Sequence, residues 1–113
     1  LFSFRGEGYM RNVKFENCSV EVSLFRDQQD GYRVGFIAGR MTNAAALNNF
    51  AGLEFVNCEL NITREGFAKD NNVNVYVGED GYKGVFGMIA DGASFTVPAD
   101  KLDITINIDN NKD

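Results

Sequence analysis

The sequence predicts an all-β protein, built as a short parallel β-helix (a β-solenoid) of about three irregular coils. Two observations favour this fold class. Residues 13–22, VKFENCSVEV, resemble residues 53–62, LEFVNCELNI, 40 positions later, and a repeat of this length is typical of stacked architectures. Apolar and polar residues also alternate over residues 102–108, LDITINI, which indicates a half-buried strand.

The repeats divide one domain, residues 1–113, into three predicted units near 1–32, 33–82 and 83–113. A second match, between DGYRVGF at residues 30–36 and DGYKGVF at residues 80–86, is spaced by 50 positions. The unequal spacings predict loops of different length inserted into a common frame. The apolar opening, LFSF, begins in mid-pattern and predicts a piece of a longer protein.

Each repeated strand is predicted to bend at an asparagine. If Phe15 points inward, strict alternation would place Cys18 outward, yet Val20 and Val22 require it to point inward. One residue must therefore be absorbed at Asn17, and likewise at Asn57. Asparagine suits such a corner because it tolerates left-handed backbone angles.

Stacking of the units predicts columns of similar side chains, about 4.8 Å apart, in one interior. Alternation places the phenylalanines inside, which favours a core role for them over a sugar-stacking platform. The predicted inward columns are Val13/Leu53/Ala93, Phe15/Phe55/Phe95, Val20/Leu60/Ile106 and Val22/Ile62/Ile108.

The alternative fold is a small antiparallel β-sandwich. Its hairpin turns would lie at the three Asp-Gly pairs, which begin at Asp30, Asp80 and Asp91, because Asp-Gly is a good hairpin signal. This fold would explain the strands. It would not explain why Phe-x-Asn-Cys recurs.

Composition restricts the function. The chain carries 11 Lys and Arg against 16 Asp and Glu, and its net charge of −5 disfavours nucleic-acid binding. It has no His, the commonest general base and metal ligand. No apolar run approaches the ~20 residues that a membrane span needs. We therefore expect no catalytic residue, no cofactor, no metal site and no membrane span.

The Gly-aromatic segments VGFIAG at residues 34–39 and GVFGMI at residues 84–89, each followed by a repeat strand, resemble GLUG-type repeats of bacterial surface and secreted proteins. The resemblance implies a right-handed parallel β-helix or β-roll that serves in adhesion, display or scaffolding, without shared catalytic residues. The chain departs from the pattern in an insert at residues 41–51, in an excursion at residues 64–80, and in the loss of Asn-Cys from the last unit.

Two cysteines and two asparagines leave alternatives open. Cys18 and Cys58 are either small buried apolar side chains or, at the spacing of stacked strands, a disulfide. Asn17 and Asn61 lie in Asn-x-Ser/Thr patterns, which are glycosylation acceptors only in a eukaryotic secretory pathway. Alternation places Asn61 outward, so it is the better acceptor of the two.

Loops are the predicted binding regions, because the loops of repeat proteins usually carry their binding residues. Residues 42–50, TNAAALNNF, predict a short helix capped by Thr42 or Asn43. Residues 73–77, VNVYV, predict an extra strand that either pairs with a partner chain at an edge or covers the protein's own flank. These segments belong to two predicted binding loops, residues 41–50 and 64–80, whose candidate binding residues are Met41, Phe50, Phe67 and Tyr76.

We expect a non-enzymatic extracellular or cell-surface module that presents its surface to a partner protein or to neighbouring coils. Because terminal rungs of a repeat protein expose their ends, the opening residues 1–4 and the strand at residues 104–108 should be covered by further chain or by a partner. The competing function is a carbohydrate-binding or carbohydrate-processing domain, with a glycan as ligand.

Overall fold

Strands dominate the computed structural model, which describes residues 9–26, 31–70 and 73–110. They make up 47% of these residues and form several small parallel sheets, without a closed barrel among the described strands. The strands are β1 Met10–Arg11, β2 Lys14–Glu16, β3 Ser19–Leu24, β4 Tyr32–Arg33, β5 Ala38–Met41, β6 Phe50–Ala51, β7 Glu54–Arg64, β8 Val75–Tyr76, β9 Phe86–Ile89 and β10 Leu102–Asn110. The helical segments are 3-10 helices at Ala44–Asn49 and Ala99–Lys101 and helix α1 at Phe67–Asp70.

The central sheet places β7 between β2 and β3 on one side and β10 on the other. Leu60 pairs with Val20 on one neighbour and with Ile106 on the other, and Ile62 is flanked in the same way by Val22 and Ile108. These two predicted columns are confirmed. The long apolar alternation of β7 is buried because strands cover both of its edges.

The predicted phenylalanine column is correct for two members and wrong for the third. Phe15 pairs with Phe55, and their rings stack with centroids 5.2 Å apart. The third position belongs to Leu102, while the ring of Phe95 packs edge-on against Phe86 at 5.2 Å. The cause is a longer connection before β10, because partners across β7 and β10 are 46 residues apart rather than 40.

Three further pairs are also parallel: β1 with β6, β4 with β8, and β5 with β9. The antiparallel alternative is therefore wrong for the described strands, and the turns at Asp80 and Asp91 join no antiparallel pair. The sequence match between residues 30–36 and 80–86 does not correspond to strand pairing either. Tyr32 pairs with Val75, and Ala38 pairs with Phe86.

The asparagine corners are confirmed. Asn17 and Asn57 have φ values of 57° and 51°, which lie in the left-handed region that asparagine tolerates. A second corner, not predicted, lies just before β2 and β7. Asn12 has a φ of 57° there, and Gly52, at the equivalent position, has a φ of 64°.

Close backbone packing explains why one of the Gly-aromatic segments has glycine at position 87. A Cβ on Gly87 would lie 2.5 Å from the backbone nitrogen of Val34 and 2.6 Å from the carbonyl oxygen of Gly39. Glycine at this position lets β4, β5 and β9 approach closely. Phe36 and Phe86 can then enter the core, where both are almost fully buried.

The helix predicted over residues 42–50 is present as the 3-10 helix Ala44–Asn49. Its cap is Asn43, whose Oδ1 accepts a hydrogen bond from the backbone N–H of Ala45 at 3.1 Å. Part of the predicted extra strand is present as β8, in parallel register with β4. Residues 1–4 and Asp30, for which we also made predictions, lie outside the described residues.

Candidate functional site

A line of hydrogen-bonded side chains crosses the outward face of the central sheet. The Nδ2 of Asn107 donates to Oδ1 of Asn61 at 2.8 Å. In turn, the Nδ2 of Asn61 donates to Oε1 of Glu21 at 3.0 Å. We call this row of hydrogen-bonded side chains, from Asn107 through Asn61 to Glu21, the amide ladder. Its donors all point the same way, from β10 towards β3, so its two ends differ chemically.

A second set of contacts joins the corners. The Nδ2 of Asn57 donates to Oδ1 of Asn17 at 2.7 Å, and the backbone N–H of Asn57 donates to Oδ2 of Asp103 at 2.8 Å. The register between β7 and β10 shifts at this point, between Leu102 and Ile104. The carboxylate of Asp103 therefore accepts a hydrogen bond from the backbone N–H of Asn57, which the interrupted pairing of β7 with β10 leaves without a carbonyl partner.

Most inward apolar side chains at the two edges of the central sheet are only partly covered. At the edge formed by β2 and β3 these are Phe15, Cys18, Val20 and Val22, whereas Leu24 at the end of β3 is buried. At the other edge, along β10, they are Leu102, Ile104, Ile106 and Ile108, of which Ile108 is 43% exposed. The equivalent side chains of β7 are buried, at 0% for Phe55 and Leu60. A cavity of about 350 Å³ lies against β10, lined by Lys83, Leu102, Ile104 and Ile106.

A polar cleft lies on another part of the surface. Two adjoining cavities of about 330 and 450 Å³ share Glu79, Tyr82, Ile89 and Asp91 in their walls. The hydroxyl of Tyr82 donates to Oε2 of Glu79 at 3.4 Å. Burial, followed by the charge of Glu79, raises the pKa of Tyr82. This cleft was not predicted from the sequence, although Tyr82 and the neighbouring Asp80 belong to the repeated DGY motif.

The predicted binding residues do not form one site. Phe50 is 5% exposed and its ring packs against Phe86 at 5.3 Å, while Met41 is half-buried against the same core. A surface role is therefore not supported for Phe50 or Met41, which alternation in β5 and β6 turns inward. Phe67 and Tyr76 are 70% and 43% exposed.

Tyr76 lies beside the polar cleft, since it lines the larger of the two cavities. The guanidinium of Arg33 sits over its ring, 4.9 Å from the centroid. This cation–π contact holds the ring against β4. Of the predicted binding residues, Tyr76 is thus the one placed in the wall of this cleft, whereas Phe50 lines a separate cavity of about 180 Å³.

The two candidate glycosylation residues are both engaged in hydrogen bonds. Asn17 accepts from Asn57 at the corner. Asn61 accepts from Asn107 and donates to Glu21 and Glu59, so a glycan on its Nδ2 would replace one of the two N–H groups that make these donations. The geometry therefore disfavours the acceptor that alternation alone preferred.

Both cysteines are free thiols. Cys58 is 1% exposed, and its Sγ donates to the carbonyl oxygen of Phe15 at 3.3 Å. Burial raises the pKa of the Cys58 thiol, which keeps it protonated and poorly nucleophilic. Cys18 is half-buried and lies between β2 and β3, at the edge of the central sheet.

Comparison of the chain with protein-family models, with curated proteins and with solved structures found no match. Among residues 9–26, 31–70 and 73–110, no helix has the length and apolar character to cross a membrane. The same residues hold no group of three or more Cys, Asp or Glu side chains placed to bind a metal ion.

Proposed function

We propose that the chain is a non-enzymatic structural or adhesion module, a stretch of right-handed parallel β-helix displayed on a cell surface or secreted. In this proposal the parallel pairs are successive coils, and the module presents its surface to a partner protein or to neighbouring coils. The support is the register, in which every described strand pairs in parallel with a distant strand. The resemblance to GLUG-type repeats points in the same direction.

The observation that carries the proposal is the incomplete burial at the two edges of the central sheet. Along β2 and β3 and along β10, inward apolar side chains are only partly covered, whereas their counterparts in β7 are fully buried. Covering an aliphatic side chain contributes roughly 1.5–3 kcal/mol. A sheet with this contribution still available at both edges is suited to receive another strand at each, either from a neighbouring coil or from a partner protein.

The outward carboxylates support a structural role. Glu21 and Glu59 both accept hydrogen bonds from the amide of Asn61, and Asp103 accepts from the corner backbone. Glu21 and Asp103 thereby link neighbouring strands to β7, whereas Glu59 accepts from a residue of its own strand. They are arranged as acceptors within a surface, rather than as a pair of carboxyl groups facing a common groove, as glycoside hydrolysis requires.

Capping one end of the sheet tests the proposal. A designed coil with an apolar inner face and a polar outer face is fused after residue 113, and urea unfolding is measured for the parent and the fusion. We expect the fusion to gain about 2 kcal/mol or more, because Ile104 and Ile106 become covered. The matched control carries serine at the inward positions of the added coil. A parent chain that is a monodisperse monomer, and as resistant to urea as the capped fusion, would contradict the proposal.

The polar cleft supports a second function, carbohydrate binding. Its walls combine Tyr76 and Tyr82 with Glu79 and Asp91, and aromatic faces with hydrogen-bonding carboxylates suit a sugar ring. A glycan array tests it with Tyr76→Ala and Glu79→Gln, which should both abolish any signal. Tyr9→Ala, at an exposed tyrosine outside the cleft, is the control. Absence of glycan binding by the parent chain removes this alternative.

A further inference from the structure

The free edge of β10 is an unfilled strand position. Among the described residues, β10 pairs with β7 along one edge and with no strand along the other. Such an edge offers a row of backbone N–H and C=O groups to an incoming strand. Beside it lies the cavity of about 350 Å³ formed by Lys83, Leu102, Ile104 and Ile106. Backbone and side-chain positions are thus both available to one added strand.

The side chains of β10 determine how an added strand must lie. Leu60 packs between Val20 and Ile106 in the existing columns, and a further aliphatic residue over Ile106 would extend that column. A slip of one residue would turn the aliphatic residues of the added strand outward. The occupant therefore needs Val, Ile or Leu at alternate positions, over Ile104, Ile106 and Ile108.

The amide ladder determines the residue between those aliphatic positions. Asn107 uses its Nδ2 to donate to Asn61, so it presents its Oδ1, an acceptor, to the free edge. The carboxylate of Asp109, which is exposed on the same outward face, adds negative charge two residues away. A residue placed over Asn107 must therefore donate a hydrogen bond, as Asn61 and Asn107 do within the ladder.

A second copy of this chain fails that requirement. Its complementary free edge would be β3, which places Glu21 over Asn107 in the same register. The carboxylate of Glu21 is an acceptor when ionised, so two acceptors would face each other. Each copy also carries a net charge of −5. The ladder therefore disfavours head-to-tail assembly of identical chains.

We propose that the free edge of β10 binds a parallel strand of a different protein, with aliphatic residues at alternate positions and an amide or ammonium donor over Asn107. This inference rests on the proposed function and adds the chemistry of the partner. The contacts that select the partner are the aliphatic columns for register and the Oδ1 of Asn107 for specificity.

A peptide taken from β7 tests the inference, because Asn61 in that strand already acts as the donor in a ladder. The labelled peptide spans residues 57–64 with Cys58→Val. Two matched peptides add Asn61→Leu, which removes the donor without adding charge, or Asn61→Glu, which replaces it with an acceptor. Fluorescence anisotropy with the 113-residue chain measures their binding. We expect the asparagine peptide to bind at least tenfold more tightly than either control.

A variant of the protein tests whether the peptide binds at the free edge of β10, beside Asn107. Asn107→Lys turns the end of the ladder from an acceptor into a donor, so it should reverse the preference and favour the Asn61→Glu peptide. Its urea midpoint, compared with that of the parent chain, shows whether it is folded. If it does not fold, the three peptides against the parent chain still decide the matter.

The outcomes separate this inference from the proposed function. Equal binding of all three peptides, or no binding, overturns the donor requirement, as does head-to-tail association of the chain itself in sedimentation experiments. The proposed function survives these results if the capping coil still stabilises the chain. It falls only if capping has no effect.

Discussion

The Nδ2 of Asn57 donates to Oδ1 of Asn17 at 2.7 Å, and both residues hold left-handed backbone angles at equivalent corners. The same side chain type thus supplies the corner geometry and the link between the two strands. We expect Asn57→Ala to lower the free energy of unfolding by about 2 kcal/mol, because it loses a hydrogen bond and strains a left-handed backbone. Urea unfolding measures the loss.

Asn57→Gly is the matched control, since glycine accepts the corner backbone and loses only the hydrogen bond. We expect a loss of about 1 kcal/mol for this variant. Equal losses for the alanine and glycine variants would show that the left-handed corner angle makes no energetic difference at this position.

The stacked rings of Phe15 and Phe55 should be energetically coupled, whereas Phe55 and Phe95 should not be. In double-mutant cycles with leucine, we expect a coupling of roughly 0.5–1.5 kcal/mol for Phe15 with Phe55. We expect additivity within about 0.5 kcal/mol for Phe55 with Phe95. Coupling between Phe55 and Phe95 would restore the column that the sequence alone predicts.

These two cases show what the sequence could predict. The pairing of β2 and β3 with β7 was predictable because Phe-x-Asn-Cys recurs as a complete pattern with an unchanged spacing. The partner of Phe55 on β10 was not, because the only remaining signal was the single residue Phe95, and the connection before β10 is longer. Of the residues that form the candidate sites, Tyr76 in the polar cleft was predicted from the sequence as a binding residue. The edges and the polar cleft depend on side chains that are distant in sequence.

Gly87 should resist substitution for steric reasons alone. Its Cβ would meet the backbone of Val34 and of Gly39 at 2.5 and 2.6 Å. We expect Gly87→Ala to cost about 3 kcal/mol or more, beyond the usual overpacking range of 1–3 kcal/mol, because the obstructing atoms are backbone. Thermal unfolding measures this.

Gly92→Ala serves as the comparison for Gly87→Ala. Gly92 has a φ of 76° with nothing within 4 Å of the added Cβ, so only backbone strain of about 1–2 kcal/mol applies. A Gly87→Ala variant as stable as Gly92→Ala would mean that β4, β5 and β9 lie further apart than the structure shows.

Alkaline pH should destabilise the fold through two buried acids. Burial raises the pKa of Cys58 above its ordinary value of 9.0, and burial together with Glu79 raises the pKa of Tyr82 above 10.0. The folded chain therefore keeps protons that the unfolded chain releases. The contribution that these retained protons make to the free energy of unfolding is fully present below about pH 9. It is lost as pH rises through the higher pKa values of the folded chain.

Unfolding free energies measured from pH 7 to 11 test this expectation. Cys58→Ala should flatten the earlier part of the decline and Tyr82→Phe the later part. The expectation fails if the parent and the two buried-site variants decline in parallel.

The parallel register around Asn61 can be measured most directly by nuclear Overhauser effects in the 113-residue chain. We expect parallel-strand contacts from the Asn61 region to Glu21 on one side and to Asn107 on the other, with none joining Glu21 directly to Asn107. Close Hα–Hα contacts between these strands, which mark antiparallel pairs with Cα atoms about 4.5 Å apart, would contradict the account. So would a direct contact between β3 and β10.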